Sequence, residues 1–300
     1  MPQGHPPVVQ GDRPLTFREL LESRDLIVAP GAYDGITARL VEQAGFPLVY
    51  MTGAGTAAAR GYPDYGLLTL TEMVENAGVI ARSVAVPVLA DADTGFGNEL
   101  NVTRTVREYE ARGVAGIHLE DQVSPKRCGH LDGKQVIERE RFTSLVTAAI
   151  EARADNDFIV IARTDAVATH GLDEAVDRAN AALDAGADVA FVEALTTIDD
   201  VAAVPERVHG ACLLNIVPGG KTPVADMRQV ESMGYRIALC PGLLLGATVM
   251  IGDIVLKELA ETNVHPSSGR GSVGDFFARF GAAEWDLVRE RVAAHETAPR

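Results

Sequence analysis

Cysteine is scarce: the 300 residues hold three, Cys128, Cys212 and Cys240, far apart. They make neither a disulfide framework nor a zinc-binding spacing, and a reducing cytoplasm is the expected location. Long apolar runs are missing too, since none approaches the ~20 residues that a membrane span needs. The first residues, MPQGHPPVVQGDRP, lack the charged-then-apolar pattern of a signal peptide. Basic charge is in short supply, with 27 Lys and Arg against 42 Asp and Glu and a formal net charge of -15. That balance favours solubility and argues against nucleic acid or an anionic membrane as partner. It leaves room for a small anionic substrate, which answers to the local site. No low-complexity segment and no short repeat stands out.

Hydrophobic residues make up 47% of the chain, enough for one large α/β domain or two smaller ones. Residues 1–14 read as a loose arm rich in Pro, Gly and Gln. Thr16 and Glu19 predict a capping box for a helix over Phe17–Glu22. Eight short apolar runs follow, at 26–29, 48–51, 87–90, 116–119, 158–162, 189–192, 212–214 and 237–239. The first is expected to stop at Pro30-Gly31. Helical spacing covers 36–44, 71–84, 102–112, 142–153 and 172–185. A unit of roughly 20 to 40 residues suits a (β/α)8 TIM barrel of ~250 residues. The runs are too uniformly apolar to have a wet face, so a parallel sheet covered on both sides is predicted. An open doubly wound sheet competes, but it offers one crevice, whereas polar groups here sit at six strand ends. The expected division is the arm 1–14, a catalytic barrel 15–242, and C-terminal helices 243–300. These last, with a Ser/Gly/Arg-rich loop at Pro266–Ser272, are of a kind that often serves subunit contacts.

Chemistry concentrates around Val114–Lys134, VAGIHLEDQVSPKRCGHLDGK: a buried strand, two acids, then a loop punctuated by Gly and Pro. Asp91, Asp93, Glu120 and Asp121 follow neighbouring strands. Carboxylates so close repel and need protons, arginines or a cation. A largely hydrated Mg2+ suits them, and no His or Cys pair at a strand end favours zinc. The plainer alternative is that some of them cap a helix or pair with a lysine, and Asp121 alone fits that at least as well. Cys128 stands among Lys126, Arg127 and His130, so nearby positive charge is expected to lower its pKa. Gly129 and Gly133 would let the loop close over a substrate; an incidental exposed thiol is the alternative. Arg163 can grip a carboxylate through two bonds or pair structurally with Asp165 or Glu193. Glu193 and Asn215 end the next two strands, and that repeated position marks them.

Thr52–Ala58, TGAGTAA, has the Gly-x-Gly-x-x-Ala spacing of a dinucleotide loop, but no second strand ends in an acid about 20 residues on. A tight loop offering N–H groups to an anionic substrate head is favoured instead. Gly219-Gly220-Lys221-Thr222 fails as a phosphate loop because Asn215 stands where its leading Gly belongs. His118, Cys212 and Cys240 are expected in the core.

Together, YMTGAG (50–55), GYPDYG (61–66), DADTGFGN (91–98), HLEDQVSPKRCGHLDGK (118–134), IARTDA (161–166), AGADVAFVEA (185–194) and GGKTP (219–223) resemble the isocitrate lyase/phosphoenolpyruvate mutase superfamily. The likeness spans about Ala29 to Pro241. The KRCGH segment is similar to those of 2-methylisocitrate lyases, 2,3-dimethylmalate lyases, oxaloacetate hydrolases and carboxyphosphonoenolpyruvate mutase. The resemblance implies a (β/α)8 barrel, a Mg2+ ion for which Mn2+ could substitute, and a homotetramer with an exchanged terminal helix. It implies that Asp93 holds the metal, with Asp91 and Glu120 in its hydrated shell and Asp64 near the metal waters. Thr52, Gly53 and Ala54 would bind the carboxylate of an α-oxyacid, and Arg163, Glu193 and Asn215 the rest of the substrate. Cys128 would be the acid of a gating loop, and Tyr50 would help remove a hydroxyl proton.

The family often has Thr-Glu-Phe-Gly or Val-Glu-Gly-Gly where this chain has Val217-Pro218-Gly219-Gly220. Pro218 supplies neither that carboxylate nor a backbone donor, which weighs against methylisocitrate. The expected activity is Mg2+-dependent C–C cleavage of a 2-hydroxy di- or tricarboxylate, of 2-methylisocitrate or 2,3-dimethylmalate type, to pyruvate and a second carboxylate. Alternatives on the same scaffold are a phosphonomutase and an oxaloacetate decarboxylase or hydrolase. A barrel kept only as a binding scaffold is disfavoured by the intact acids and Cys128.

Overall fold

A computed structural model describes residues 9–10, 13–23, 25–223, 226–266 and 271–296. Its centre is a closed barrel of eight strands. They are β1 Ile27–Ala32, β2 Val49–Met51, β3 Val88–Asp91, β4 Gly116–Glu120, β5 Ile159–Thr164, β6 Val189–Val192, β7 Ala211–Asn215 and β8 Ile237–Cys240. Each pairs in parallel with the next, and β8 returns to β1 through Ile237↔Ile27 to Cys240↔Pro30. The expected (β/α)8 architecture is therefore the one adopted, with every strand on one of the eight apolar runs.

The strands are apolar throughout because both faces are dry. All of β4 and β5 is buried. Their outward side chains meet helices such as Leu70–Ala81, Glu99–Ala111 and Arg139–Ala152. The inward ones, among them Leu89, Ile159, Ile161 and Phe191, stack with Phe17 and Leu20. That pair comes from the helix Phe17–Glu22, whose start is the Thr16–Glu19 capping box that the sequence predicts.

Three expectations change. Strand β1 does not stop at Pro30-Gly31 but continues to Ala32. Its pairing with β2 begins only at Gly31, so the missing N–H of Pro30 falls just before a donor is needed on that flank. Gly31 is required by contact, since a Cβ there would sit 2.2 Å from the Pro241 carbonyl oxygen. The TGAGTAA stretch is a short helix, Gly53–Ala59, and not an open loop; Thr52 is its N-cap and accepts from the Gly55 amide. In the N-terminal arm, Val9–Gln10 pairs antiparallel with Arg13–Pro14; residues 1–8 and 11–12 lie outside the described residues, as do 267–270 of the Ser/Gly/Arg-rich loop.

The chain divides after Ala247 into two compact units. The second is helical, with Val273–Ala278, Ala282–Glu296 and most of Leu243–Thr262. Its Met250, Ile254, Phe276, Phe277 and Trp285 are exposed. No helix among the described residues is long and apolar enough to cross a membrane.

Candidate active site

Strand register assembles the site. Asp91 lies beside His118, and Glu120 beside Arg163. Side chains alternate along a strand, so His118 and Glu120 share the inward face of β4 at the carboxyl end of the barrel. A cavity of about 190 Å3 opens there. It brings together Tyr50, Thr52, Ala54, Asp64, Asp91, Cys128, Arg163, Glu193 and Asn215 of the residues singled out in the sequence. Gly53, Asp93 and Glu120 do not line it, but adjoin it through contacts with Asp91 and Arg163.

Arg163 does both things expected of it. Its Nε and Nη2 donate to Asp165 (2.9 and 3.2 Å), Nη1 lies 3.1 Å from Glu120 Oε2, and Nη2 also lies 3.3 Å from Glu193 Oε2. The guanidinium also covers the Phe191 ring at 5.1 Å. Its partners outweigh burial and raise its pKa, so the charge is permanent. Asn215 Nδ2 donates to Glu193 Oε2 (3.0 Å).

Tyr50 OH lies 2.9 Å from His118 Nε2 and 3.5 Å from Asp91 Oδ2. Burial and the Asp91 charge raise the phenol's pKa, so it holds its proton. Burial pushes His118 down to about 4, leaving a neutral imidazole. Burial also opposes ionisation of Asp91, yet that carboxyl is held at about 2. His118, protonated in the range where that carboxyl titrates, holds it there together with Lys126, Arg163 and the Asp93 amide.

Among the described residues no three His, Cys, Asp or Glu side chains converge closely enough to cage a metal ion. The donor set still fits a hydrated dication. Buried Asp93 Oδ1 and both Glu120 carboxylate oxygens have no hydrogen-bond partner. Lys126 Nζ lies 2.7 Å from Asp93 Oδ1, but only as an ion pair. Burial pushes Asp93 up to about 6, and Glu120 well above the usual range. Glu120 likewise has only an ion pair, with Arg163, and each cation is shared among several acids, so the cluster is desolvated and short of positive charge. Mg2+ uses one or two carboxylates and keeps its waters, so it needs no tight cage. Asp93 also has φ 47°, and Ala194, just after β6, has φ 59°. Such left-handed backbone at non-glycine residues gathers at functional sites.

The loop after β4 is folded over the mouth. Cys128 N donates to the Asp64 carbonyl (3.1 Å). Lys126 Nζ meets Asp64 Oδ1 at 2.6 Å, and His130 Nδ1 accepts from the Lys221 amide (3.1 Å). Cys128 is half-buried, and burial raises its thiol pKa although the His130 backbone pulls the other way. The expectation of a lowered pKa is thus corrected: Lys126 is spent on the Asp64 and Asp93 carboxylates, Arg127 turns to the Tyr65 ring, and desolvation prevails. Of the Thr52–Ala54 amides, Gly53 N already donates to Asp91 Oδ2 (3.2 Å). Gly53 admits no side chain, because a Cβ would lie 2.4 Å from that oxygen.

Asp121 is structural, accepting from Thr164 Oγ1 (2.7 Å), Asp165 N (2.8 Å) and Arg178 (3.1 Å). Cys212 is a core thiol, whereas Cys240 is only partly buried. Lys126, Lys134 and His118 were not marked as site residues in the sequence. A loop lysine reads as solvated, and a strand histidine as core. The one available signal was their place beside the acids and Cys128.

A parallel barrel with its charged side chains gathered at the carboxyl ends of the strands has the layout of a TIM-barrel enzyme. The family described as phosphoenolpyruvate phosphomutase matches residues 17–259, and the chain belongs to it, within the superfamily of phosphoenolpyruvate mutases and isocitrate lyases. The chain is 48% identical over 226 residues to the 2,3-dimethylmalate lyase of Eubacterium barkeri, covering 75% of this chain and 78% of that protein. It is 43% identical over 251 residues to the 2-methylisocitrate lyase of Aeropyrum pernix, covering 83% and 81%. Among solved structures, oxaloacetate acetylhydrolase bound to 3,3-difluorooxalacetate matches with a TM-score of 0.90 and 37% identity, over 93% of this chain and 96% of that one. Phosphonopyruvate hydrolase in complex with oxalate and Mg2+ matches with a TM-score of 0.83 and 31% identity, over 91% and 96%.

Proposed function

We propose that this chain is a Mg2+-dependent carbon–carbon lyase that splits a 2-hydroxy dicarboxylate into pyruvate and a second carboxylate. The observation that carries this reading is the seat of Cys128, held by the closed loop in one cavity with Tyr50, Arg163, Glu193 and Asn215. Asp93 would hold the metal, with Asp91 and Glu120 around its waters and Asp64 close by. When bound, the ion neutralises negative charge gathering on the oxygens of the pyruvate-forming half.

The chain's own groups do the rest. Thr52 and the Ala54 amide border the carboxylate of that half, and Gly53 keeps Asp91 in place. Tyr50 receives the proton of the substrate 2-hydroxyl and hands its own to the neutral His118 imidazole 2.9 Å away, which gives it up to solvent when the products leave. As the C2–O bond becomes a carbonyl, the C2–C3 bond breaks and its electron pair moves onto C3 and the neighbouring carboxylate. Arg163 and Asn215 steady that charge. Cys128 Sγ–H protonates C3, and the thiolate regains a proton from solvent after release. A thiol whose pKa burial raises arrives protonated, as an acid must.

Among the described residues, Arg163 is the one permanent cation lining the cavity, and Val217, Pro241, Gly242 and Leu245 bring no other. A dicarboxylate of 2,3-dimethylmalate type therefore fits better than the tricarboxylate 2-methylisocitrate. Oxaloacetate hydrolysis is the second reading, favoured by the likeness to oxaloacetate acetylhydrolase. A panel of 2,3-dimethylmalate, 2-methylisocitrate, oxaloacetate and enolpyruvate phosphates, read by pyruvate, oxalate and phosphonate formation, tests these readings. Pyruvate from dimethylmalate supports the first; oxalate from oxaloacetate alone overturns it. The Cys128→Ser variant is expected to lose about 10² to 10⁴ in kcat while still binding oxalate with Mg2+. Cytoplasmic location and a homotetramer with an exchanged helix belong to the same proposal. The exposed apolar side chains within residues 248–292 support the assembly, which light scattering tests.

A further inference from the structure

One buried cation has no part in that mechanism. Lys134 closes the HLDGK end of the loop, yet its side chain is fully buried. Its ammonium makes two contacts: an ion pair with Asp165 Oδ1 at 2.7 Å, and a short hydrogen bond donated to the carbonyl oxygen of Gly129. Gly129 follows Cys128 directly and is pressed against the pocket. A Cβ there would meet Arg163 Nη2 at 2.3 Å and Glu193 Cγ at 2.5 Å. Asp165 follows β5 and is the same carboxylate that Arg163 grips through Nε and Nη2. One rigid acid thus serves two cations, Arg163 facing the cavity and Lys134 holding the loop that covers it.

A lysine need not be buried to keep a loop tidy. Removing an ammonium from water is costly unless its donors are matched. Both acceptors of Lys134 come into place together only when Gly129 lies against Arg163 and Glu193. Lifting the loop tip would take one acceptor from a buried charge. The closed position is therefore favoured by more than the weak contacts of the loop's exposed residues, such as the Lys221–Asp132 pair.

We propose that Lys134 is a positioning residue, a clasp that joins the Gly129 carbonyl to Asp165 and thereby holds the Cys128 thiol over the substrate at the protonation step. It touches neither substrate nor reacting atoms. The proposal rests on the reading of Cys128 as the acid, and its test separates the two. In Lys134→Met the stem is kept and the ammonium is lost. The loop should then close without registering Cys128, lowering kcat by about 10²-fold, the scale of a misplacement of roughly 1 Å. KM and oxalate affinity should change far less.

The second readout is alkylation of Cys128 by iodoacetamide, followed by mass spectrometry. With Mg2+ and oxalate present, wild-type Cys128 should be protected; in Lys134→Met that protection should be lost at temperatures well below the variant's own melting temperature. Lys134→Gln, which keeps a donor but not the charge, should lie between, and it replaces the Met variant should that fail to fold. Wild-type kcat together with retained protection in these variants would overturn the clasp. Full turnover by Cys128→Ser would instead sink the acid role alone, since protection still reports on Lys134.

Discussion

The two ends of the barrel differ in kind. At the amino end a cavity of about 450 Å3 lies among Pro14, Leu15, Phe17, Glu110, Val114 and Phe158. At the carboxyl end the hollow is about 190 Å3. The smaller one holds the candidate site. Among the described residues, the buried side-chain atoms left without a hydrogen-bond partner belong to Asp93, His118, Glu120 and Asn215, all at the carboxyl end. At the base the polar groups are matched: Glu110 accepts from the amides of Ala154 and Asp155, and Thr16 sits in its capping box. Desolvated charge short of partners marks a site better than volume does.

This contrast can be broken experimentally, and the largest effects belong at the mouth. Chelation with EDTA should take pyruvate release to background, and Mg2+ should restore it; turnover indifferent to metal would undo the reading of the orphaned acids. Arg163→Lys keeps a charge but loses the fork, so kcat/KM should fall about 10²- to 10³-fold, measured by steady-state pyruvate release. At the base the order reverses. Phe17→Ala should cost about 3–5 kcal/mol of stability in urea unfolding while leaving kcat near wild type well below the melting temperature. An equal collapse of both would mean that the two ends are not separable.

Acid should sharpen the comparison further. Asp165 is held at about 2, burial opposing ionisation and Arg163 and Lys134 outweighing it. An unfolded Asp titrates at about 3.9. Folding therefore lowers this pKa, and the stability it contributes is fully present above the unfolded value and lost as pH falls towards 2. The urea midpoint of Asp165→Asn should accordingly change less between about pH 4.5 and about pH 2.5 than that of the wild type. The smallest effect is expected for Glu110→Gln at the base. It should cost about 1 kcal/mol or less, with kcat unchanged.

Much of the barrel was legible because its strands have no wet face: eight short runs, apolar but for His118, read directly as eight buried strands. The polar site residues were legible for a related reason, since Asp91, Glu120, Arg163, Glu193 and Asn215 each stand where a run ends. The misreadings have local causes. Pro30 looked like a stop because the sequence does not say which flank of a strand lacks a partner. Gly53–Ala59 looked like a loop because small residues carry no helical period. The Cys128 pKa went the wrong way because charge neighbours in sequence, Lys126 and Arg127, turn elsewhere in space: Lys126 goes to Asp64 and Asp93, and Arg127 lies over the Tyr65 ring.

By itself the order of residues determined the period of the barrel, the ends at which charge accumulates, and the family to which the chain belongs. Those features are local: burial on both faces excludes polar residues from a strand, and the chain can turn polar only where the strand stops. Which cation answers which acid was decided by closure of the ring and folding of the loop. Lys126 and Lys134 lie eight residues apart in one polar segment, yet one meets Asp64 and Asp93 and the other Asp165. No pattern along the chain encodes those meetings, because the cost of burying a charge depends on what the completed fold sets beside it.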